Sequence, residues 1–136
     1  MRYLVLCAAL AGGPAWAEEI ISFQSPSGNI HCFMTESYGT RCDIIDYTPN
    51  FTDPGNCDLD YGMAFGIAPG GRGEVLCVGD TAITPDAPVL EYGDGRVLAG
   101  IACVSMETGM LCEDHSQGNT GEQGGILLSR AVQLAY

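Results

Sequence analysis

The chain contains no lysine; its five cations are all arginines, set against 17 acids, for a formal charge of −12 at neutral pH. Without lysine there is no phosphate-loop lysine and no Schiff-base nucleophile. So few cations leave no basic stripe to neutralise a phosphate backbone, which excludes nucleic acid as a partner. Anionic membrane surfaces repel the chain for the same reason. Histidine is scarce too, with His31 and His115 standing 84 residues apart. Neither an H-E-x-x-H pair nor a G-x-S-x-G elbow occurs. No apolar run approaches the length of a membrane span, and no segment has the capped amphipathic pattern of a long helix. No cofactor is expected.

What is present begins with an export signal. Arg2, the apolar run Leu4 to Leu10 and Ala15-Trp-Ala17 form a signal peptide over residues 1–17, with cleavage after Ala17. A lipoprotein signal around Cys7 is the alternative, but Leu6 stands where a small residue is wanted. Cleavage leaves a single domain, residues 18–136, which is 119 residues long. Arg2 goes and no acid does, so the charge becomes −13; Trp16 and Cys7 go too, leaving no tryptophan and six cysteines. An even cysteine count behind a signal peptide implies three disulfides and a periplasmic or secreted location.

Short alternating runs broken by Gly, Pro and Asp dominate the rest. Ile30, Cys32 and Met34 share one face of a strand that follows the turn Ser25-Pro-Ser-Gly-Asn29. Arg41-Cys-Asp-Ile-Ile45 is its partner. Nine residues separate Cys32 from Cys42, so directly opposed cysteines need an odd loop, Glu36 to Tyr38, with Gly39 at positive φ. Eight residues separate Cys103 from Cys112, so that loop is even: Glu107-Thr108, or Met106 to Gly109. Elimination pairs Cys57 with Cys77, although a turn at Gly70-Gly71 would set Cys77 opposite about Ala64. Val97 to Met106 reads as a strand, and Thr81 to Pro88 as an extended segment. Ser116 to Gly125 reads as an exposed loop, Ile126 to Arg130 as a strand, and Ala131 to Tyr136 fits both helical and strand periods. The fold class expected is all-β: a small disulfide-stapled antiparallel sandwich or barrel built from hairpins, with a trefoil-like arrangement as the alternative.

Chemistry has few places to reside. Asp58, Asp60, Asp43 and Asp46 could supply oxygen ligands to calcium, but they lack the spacing of a hand-type loop. Glu113-Asp114-His115 could serve acid–base or metal work, against the simpler reading of an exposed loop histidine. His31 lies within a strand and reads as packed. Arg41 and Arg130 read as structural ion pairs. Recognition is expected away from the staples, at residues 68–73 and 113–125.

The ordered segments Phe23-x-Ser-Pro-Ser-Gly-Asn-Ile-x-Cys32, Arg41-Cys-Asp43, Cys77-x-Gly-Asp80, Leu90-x-Tyr-Gly93, Gly100-Ile-x-Cys103, Gly109-x-x-Cys112 and Leu128-Ser-Arg130 span nearly the whole domain. This string resembles a family of small secreted bacterial proteins known only as a domain of unknown function. Here Gln123-Gly-Gly-Ile126 stands where that family has a Gly-His-Gly-Phe-like segment. The resemblance implies an exported disulfide-bonded domain and brings no activity. The sequence therefore points to an exported, non-enzymatic domain that binds an unknown protein, glycan or envelope component. A small hydrolase using His115 with loop carboxylates is one alternative, and a calcium-stabilised structural domain is another. The intact mass of exported protein is expected to correspond to a start at Glu18 with six hydrogens lost; free thiols or a retained Trp16 would refute this.

Overall fold

Period-two alternation punctuated by turn residues yields ten strands and no helix among the described residues. The computed structural model describes residues 12–117 and 121–136. The first sheet holds β1 (Ile21–Gln24), β2 (Ile30–Thr35), β3 (Gly39–Ile44), β4 (Asp60–Ile67) and β5 (Gly73–Val78) in chain order. The second holds β6 (Gly95–Leu98), β7 (Ile101–Met106), β8 (Gly109–Asp114), β9 (Gly125–Leu128) and β10 (Gln133–Ala135), again with chain neighbours adjacent. Every pairing of neighbours is antiparallel. The chain is thus two five-stranded meanders facing each other: a sandwich, and all-β as expected. Hairpins come in two matching sets, which replaces the trefoil-like alternative.

The two halves correspond strand for strand. Cys32 lies directly opposite Cys42 on β2 and β3, and Cys103 directly opposite Cys112 on β7 and β8. Both pairs are disulfide-bonded, with Cα atoms 4.1 and 4.0 Å apart. Their loops have the parities set by the spacing: Glu36 to Tyr38 with φ 93° at Gly39, and Glu107-Thr108. Inward-facing Phe23, Met34, Ile44, Phe65, Ile101, Met110, Ile126 and Leu128 surround the staples as one core. At its centre Cys42 Sγ lies 4.0 Å from Cys112 Sγ, so the two disulfides touch across the sandwich.

Linking segments close the structure. Residues 79–88 cross the outer face of the first sheet, above the outward side chains of β2 and β3. Gln24 at the edge receives them: its amide donates to the carbonyls of Pro85 (2.9 Å) and Ala87 (2.7 Å), and Val89 pairs with it in parallel. At the opposite side the Tyr136 carbonyl accepts from the amides of Gly73 (2.7 Å) and Gly125 (2.8 Å), joining β5 to the second sheet.

Three local expectations change. The third disulfide, Cys57–Cys77, forms with a Cα separation of 5.7 Å, but not by the simple register. A bulge between Tyr61 and Phe65 sets Cys77 opposite Tyr61, four residues from Cys57. Gly62, at φ 102° under the Phe51 ring, makes that bulge. Second, Val97 to Met106 is two strands: Ala99-Gly100 forms a two-residue hairpin turn with φ of 51° and 81°. Both values are positive, as a type I′ turn requires, and alanine gives no sequence signal for it. Third, Ala131 to Tyr136 resolves to a strand, because Gln133 to Ala135 pair with β9. Ala99 is exposed and holds an unfavourable left-handed conformation. Ala99→Asn is therefore expected to stabilise the fold by about 0.5–1 kcal/mol in urea unfolding; a loss of stability would refute the turn assignment.

Candidate functional site

The acids singled out in the sequence divide among separate structural tasks. Arg41 and Asp43 face outward from β3 yet are buried beneath the 79–88 segment. Arg41 donates to Asp43 through Nε (2.8 Å) and one terminal nitrogen (3.1 Å), and it also binds the Asp80 carboxylate (2.7 Å) and carbonyl (2.9 Å). Asp43 accepts further bonds from the Thr81 hydroxyl and the Ala82 amide. Burial alone would lower the Arg41 pKa, but bonding to Asp43 and Asp80 outweighs it and holds the guanidinium more firmly charged. His31 lies under the same segment, its ring nitrogens meeting the Gly28 carbonyl (3.0 Å) and the Thr84 amide (3.3 Å). A backbone amide can only donate, so Nδ1 accepts and Nε2 carries the proton.

Asp46 is exposed and pairs with Arg130 at 2.5 Å. Asp58 and Asp60 are exposed near the Cys57 bridge. Among the described residues no three His, Cys, Asp or Glu side chains gather as a metal site.

Asp114 and its neighbours point in different directions. Asp114 is buried and bridges the two loops at one end of the sandwich, accepting from the Ser116 amide (2.7 Å) and the Gly70 amide. Burial raises its pKa, yet the bonds from Ser116 and Gly70 prevail and hold the carboxyl below its ordinary value. Glu113 and His115 turn outward. Glu113 accepts from the Tyr136 hydroxyl (2.8 Å) and lies 3.8 Å from His115, whose other nitrogen meets Gln123 at 3.0 Å. Burial, then Glu113, push the Tyr136 phenol up to about 12. The loops expected to be free for recognition instead pack together: Arg72 binds Glu122, and a Cβ at Gly124 would collide with Arg72 Cα at 2.7 Å. Residues 118–120 of the second loop lie outside the described residues.

A different region forms a cavity. At the far end of β8 the turns of several hairpins converge around about 340 Å³ of space. The β1–β2 turn supplies Ser25, Ser27 and Asn29; the β7–β8 turn supplies Glu107 and Thr108. Tyr92, Ser105 and the Ser129-Arg130 turn complete the wall, with Ile30 and Met106 as apolar lining. The first turn is spent on its own structure: Ser25 Oγ accepts from the Ile30 amide (3.1 Å), and Asn29 exchanges bonds with the Asp46 backbone (2.8 and 2.9 Å). Ser129 is likewise spent, capping the Val132 amide at 3.0 Å. The side chains of Tyr92, Ser105, Glu107 and Thr108, in contrast, make no hydrogen bond or ion pair among the described residues. Ser105 is only 1% exposed, yet it lines the cavity.

The model of one protein family matches residues 3–136. The chain belongs to DUF6636, a family of unknown function. No curated protein and no solved structure matches it. Within this DUF6636 chain the segments noted from sequence sort into two groups. Arg41-Cys-Asp43 and Gly79-Asp80 build the ion-pair lock, buried at Arg41 and Asp43 and open to solvent at Asp80. Ser25 to Asn29, Tyr92, Gly109 and Ser129-Arg130 meet at the cavity. Sequence reasoning missed that meeting, since each piece reads alone as an ordinary turn.

The lowered Asp114 carboxyl has a pH signature. A depressed folded pKa stabilises the protein above the unfolded value near 4, and that contribution is lost as pH falls through the folded value. Asp114→Asn is expected to cost about 1–3 kcal/mol at neutral pH. The gap to the parent should close on acidification below about pH 4. Urea unfolding across pH checks this; a gap independent of pH would reject the assignment.

Proposed function

We propose that this DUF6636 protein is an exported, non-enzymatic binding domain that seats its ligand in the end cavity. Ligand sites are concave, largely preformed and lined by apolar surface with a few convergent polar groups. The observation that carries the reading is the set of unspent groups, Tyr92, Ser105, Glu107 and Thr108, facing one space of about 340 Å³. Turns that are internally hydrogen-bonded and disulfide-anchored hold those groups in place, which lowers the ordering cost of binding. Three disulfides suit the oxidising surroundings of a periplasmic or secreted domain. The signal over residues 1–17 supports the same location.

Hydrolysis is the second reading. It rests on Glu113 and His115, 3.8 Å apart and joined to Tyr136. The binding reading is preferred because these groups face outward, away from the cavity, with no serine, threonine or cysteine side chain bonded to them among the described residues. Fragment screening by amide-resolved NMR separates the two. Shifts are expected to cluster on residues 25–30, 92, 105–109 and 129–131. Clustering at 113–115 and 136, together with a hydrolytic activity that His115→Ala abolishes, would replace this reading with the second.

A further inference from the structure

The unspent groups also constrain what the cavity takes, and the following rests on the cavity being the ligand seat. Arg130 is the one cation of the cavity lining among the described residues, and Asp46 at 2.5 Å already balances its charge. Glu107 is exposed and has no cation among its contacts within the described residues, so the lining they form carries uncompensated negative charge. The surrounding surface adds to this, since the whole chain stands at −12. Anionic ligands are therefore disfavoured.

The remaining groups are three hydroxyls, on Tyr92, Ser105 and Thr108, beside that carboxylate. Hydroxyls donate and accept, and a carboxylate accepts at two oxygens. Such a set is satisfied by a ligand that is itself a dense array of hydroxyl donors and acceptors. Tyr92 adds an aromatic ring, 51% exposed, at the wall. A ring with one apolar face and a polar tip suits a molecule that alternates C–H faces with hydroxyl edges. Ser105 is the least exposed of these groups. A hydroxyl at 1% exposure without a protein partner gains most from a ligand that reaches it.

We infer that the cavity between the Ser25–Asn29 turn, Tyr92 and the Glu107-Thr108 turn binds a neutral saccharide. Its hydroxyls bond Glu107, Thr108 and Ser105, and one face of its ring lies on Tyr92. Tyr92 and Glu107 lie at the same end of the second sheet, where the Gly93 amide bonds the Ser105 carbonyl at 2.7 Å, so one small sugar unit can reach both. The volume, near the lower limit of small-molecule sites at about 300 Å³, excludes a long buried chain.

The test uses the full exported protein, isotope-labelled, titrated separately with glucose, galactose, mannose, N-acetylglucosamine and maltose. Glucuronate, lysine and glycylglycine form the comparison set. Saturable amide shifts at residues 92 and 105–109 with at least one neutral sugar are expected, and none with glucuronate. Tyr92→Ala should weaken that binding by about tenfold, the loss of one aromatic contact. Glu107→Gln keeps the shape and one acceptor oxygen, so it should weaken binding by less than Glu107→Ala does. Both positions are exposed, and unchanged spectra away from the cavity will show that the variants fold.

Saturable shifts at the cavity from lysine, glycylglycine or glucuronate, with none from the sugars, would overturn the saccharide inference and keep the ligand seat. Sugar-induced shifts that lie elsewhere, or that persist unchanged in Tyr92→Ala, would overturn the placement. Silence at the cavity from every probe here and from the fragment screen would overturn both readings.

Discussion

Contact between two disulfides at the centre of the sandwich is the constraint from which the rest of the structure follows. Cys42 lies on β3 and Cys112 on β8, the middle strands of their sheets, and their sulfurs stand 4.0 Å apart. Each disulfide fixes the register of its own hairpin, because a slip by one residue would turn every inward side chain outward. Their contact then fixes which rows face each other. Phe23, Cys32, Cys42 and Phe65 form one cross-strand row, and Cys103, Cys112 and Ile126 form its counterpart. In the chain-entropy account, closing loops of this length contributes about 3 kcal/mol per bridge. That is a large share for a chain whose core holds only a few aromatic side chains, against a typical net stability of about 5–15 kcal/mol.

The same duplication explains where the two ends of the sandwich differ. At one end residues 68–73 and 121–125 approach so closely that side chains would not fit, and the Asp114 carboxylate bridges them. Backbone and carboxylate satisfy each other there, which leaves little unpaired chemistry. The three-residue β2–β3 loop lies at this end too, with Gly39 against Ile67 and Pro69, whereas the other end is open. The tight Glu107-Thr108 turn, the Ser25–Asn29 turn and the Ser129-Arg130 turn meet without filling the space between them. The outer face of the first sheet is covered by the strap that the Arg41–Asp43–Asp80 cluster holds down. A buried ion pair is weak support for stability in itself. Its geometry specifies one path for the strap, since Asp43 also receives the Ala82 amide at 2.8 Å.

How far the fold was legible follows from the range of each signal. Strand alternation and cysteine parity are local, so β2, β3, β7, β8 and their loops could be read directly. The β6–β7 turn was not legible because Ala99 has no turn preference and adopts positive φ only as a consequence of strand pairing. The register of β4 against β5 failed at Gly62, where a glycine inside an apolar run gives no direction to a bulge. For the site the limitation is of another kind. Glu113, Asp114 and His115 attracted attention as adjacent titratable residues, but strand alternation sends Asp114 inward and Glu113 outward. Tyr92, Ser105, Glu107 and Thr108 attracted none, because hydroxyls and a lone acid in turns are commonplace. Their significance lies in lacking partners, and partnership is a property of the folded chain.

The pairing of the arginines limits what the surface can recognise. Arg41 is enclosed by Asp43 and Asp80, Arg72 meets Glu122, Arg130 meets Asp46, and Arg96 bonds the Gly95 carbonyl. Each arginine of the described residues is thus engaged within the molecule, while most of the acids stay on the surface. A charge-driven partner would have to be cationic, and its attraction would be diffuse and sensitive to salt, because exposed carboxylates are screened beyond about 10 Å. Specific recognition then depends on short-range hydrogen bonds and ring contacts at a place where polar groups are held rigid and unpaired. The end cavity offers that combination: the β7–β8 turn in its wall belongs to the hairpin that Cys103–Cys112 closes, so a bridge that organises the core also holds Glu107 and Thr108 in position.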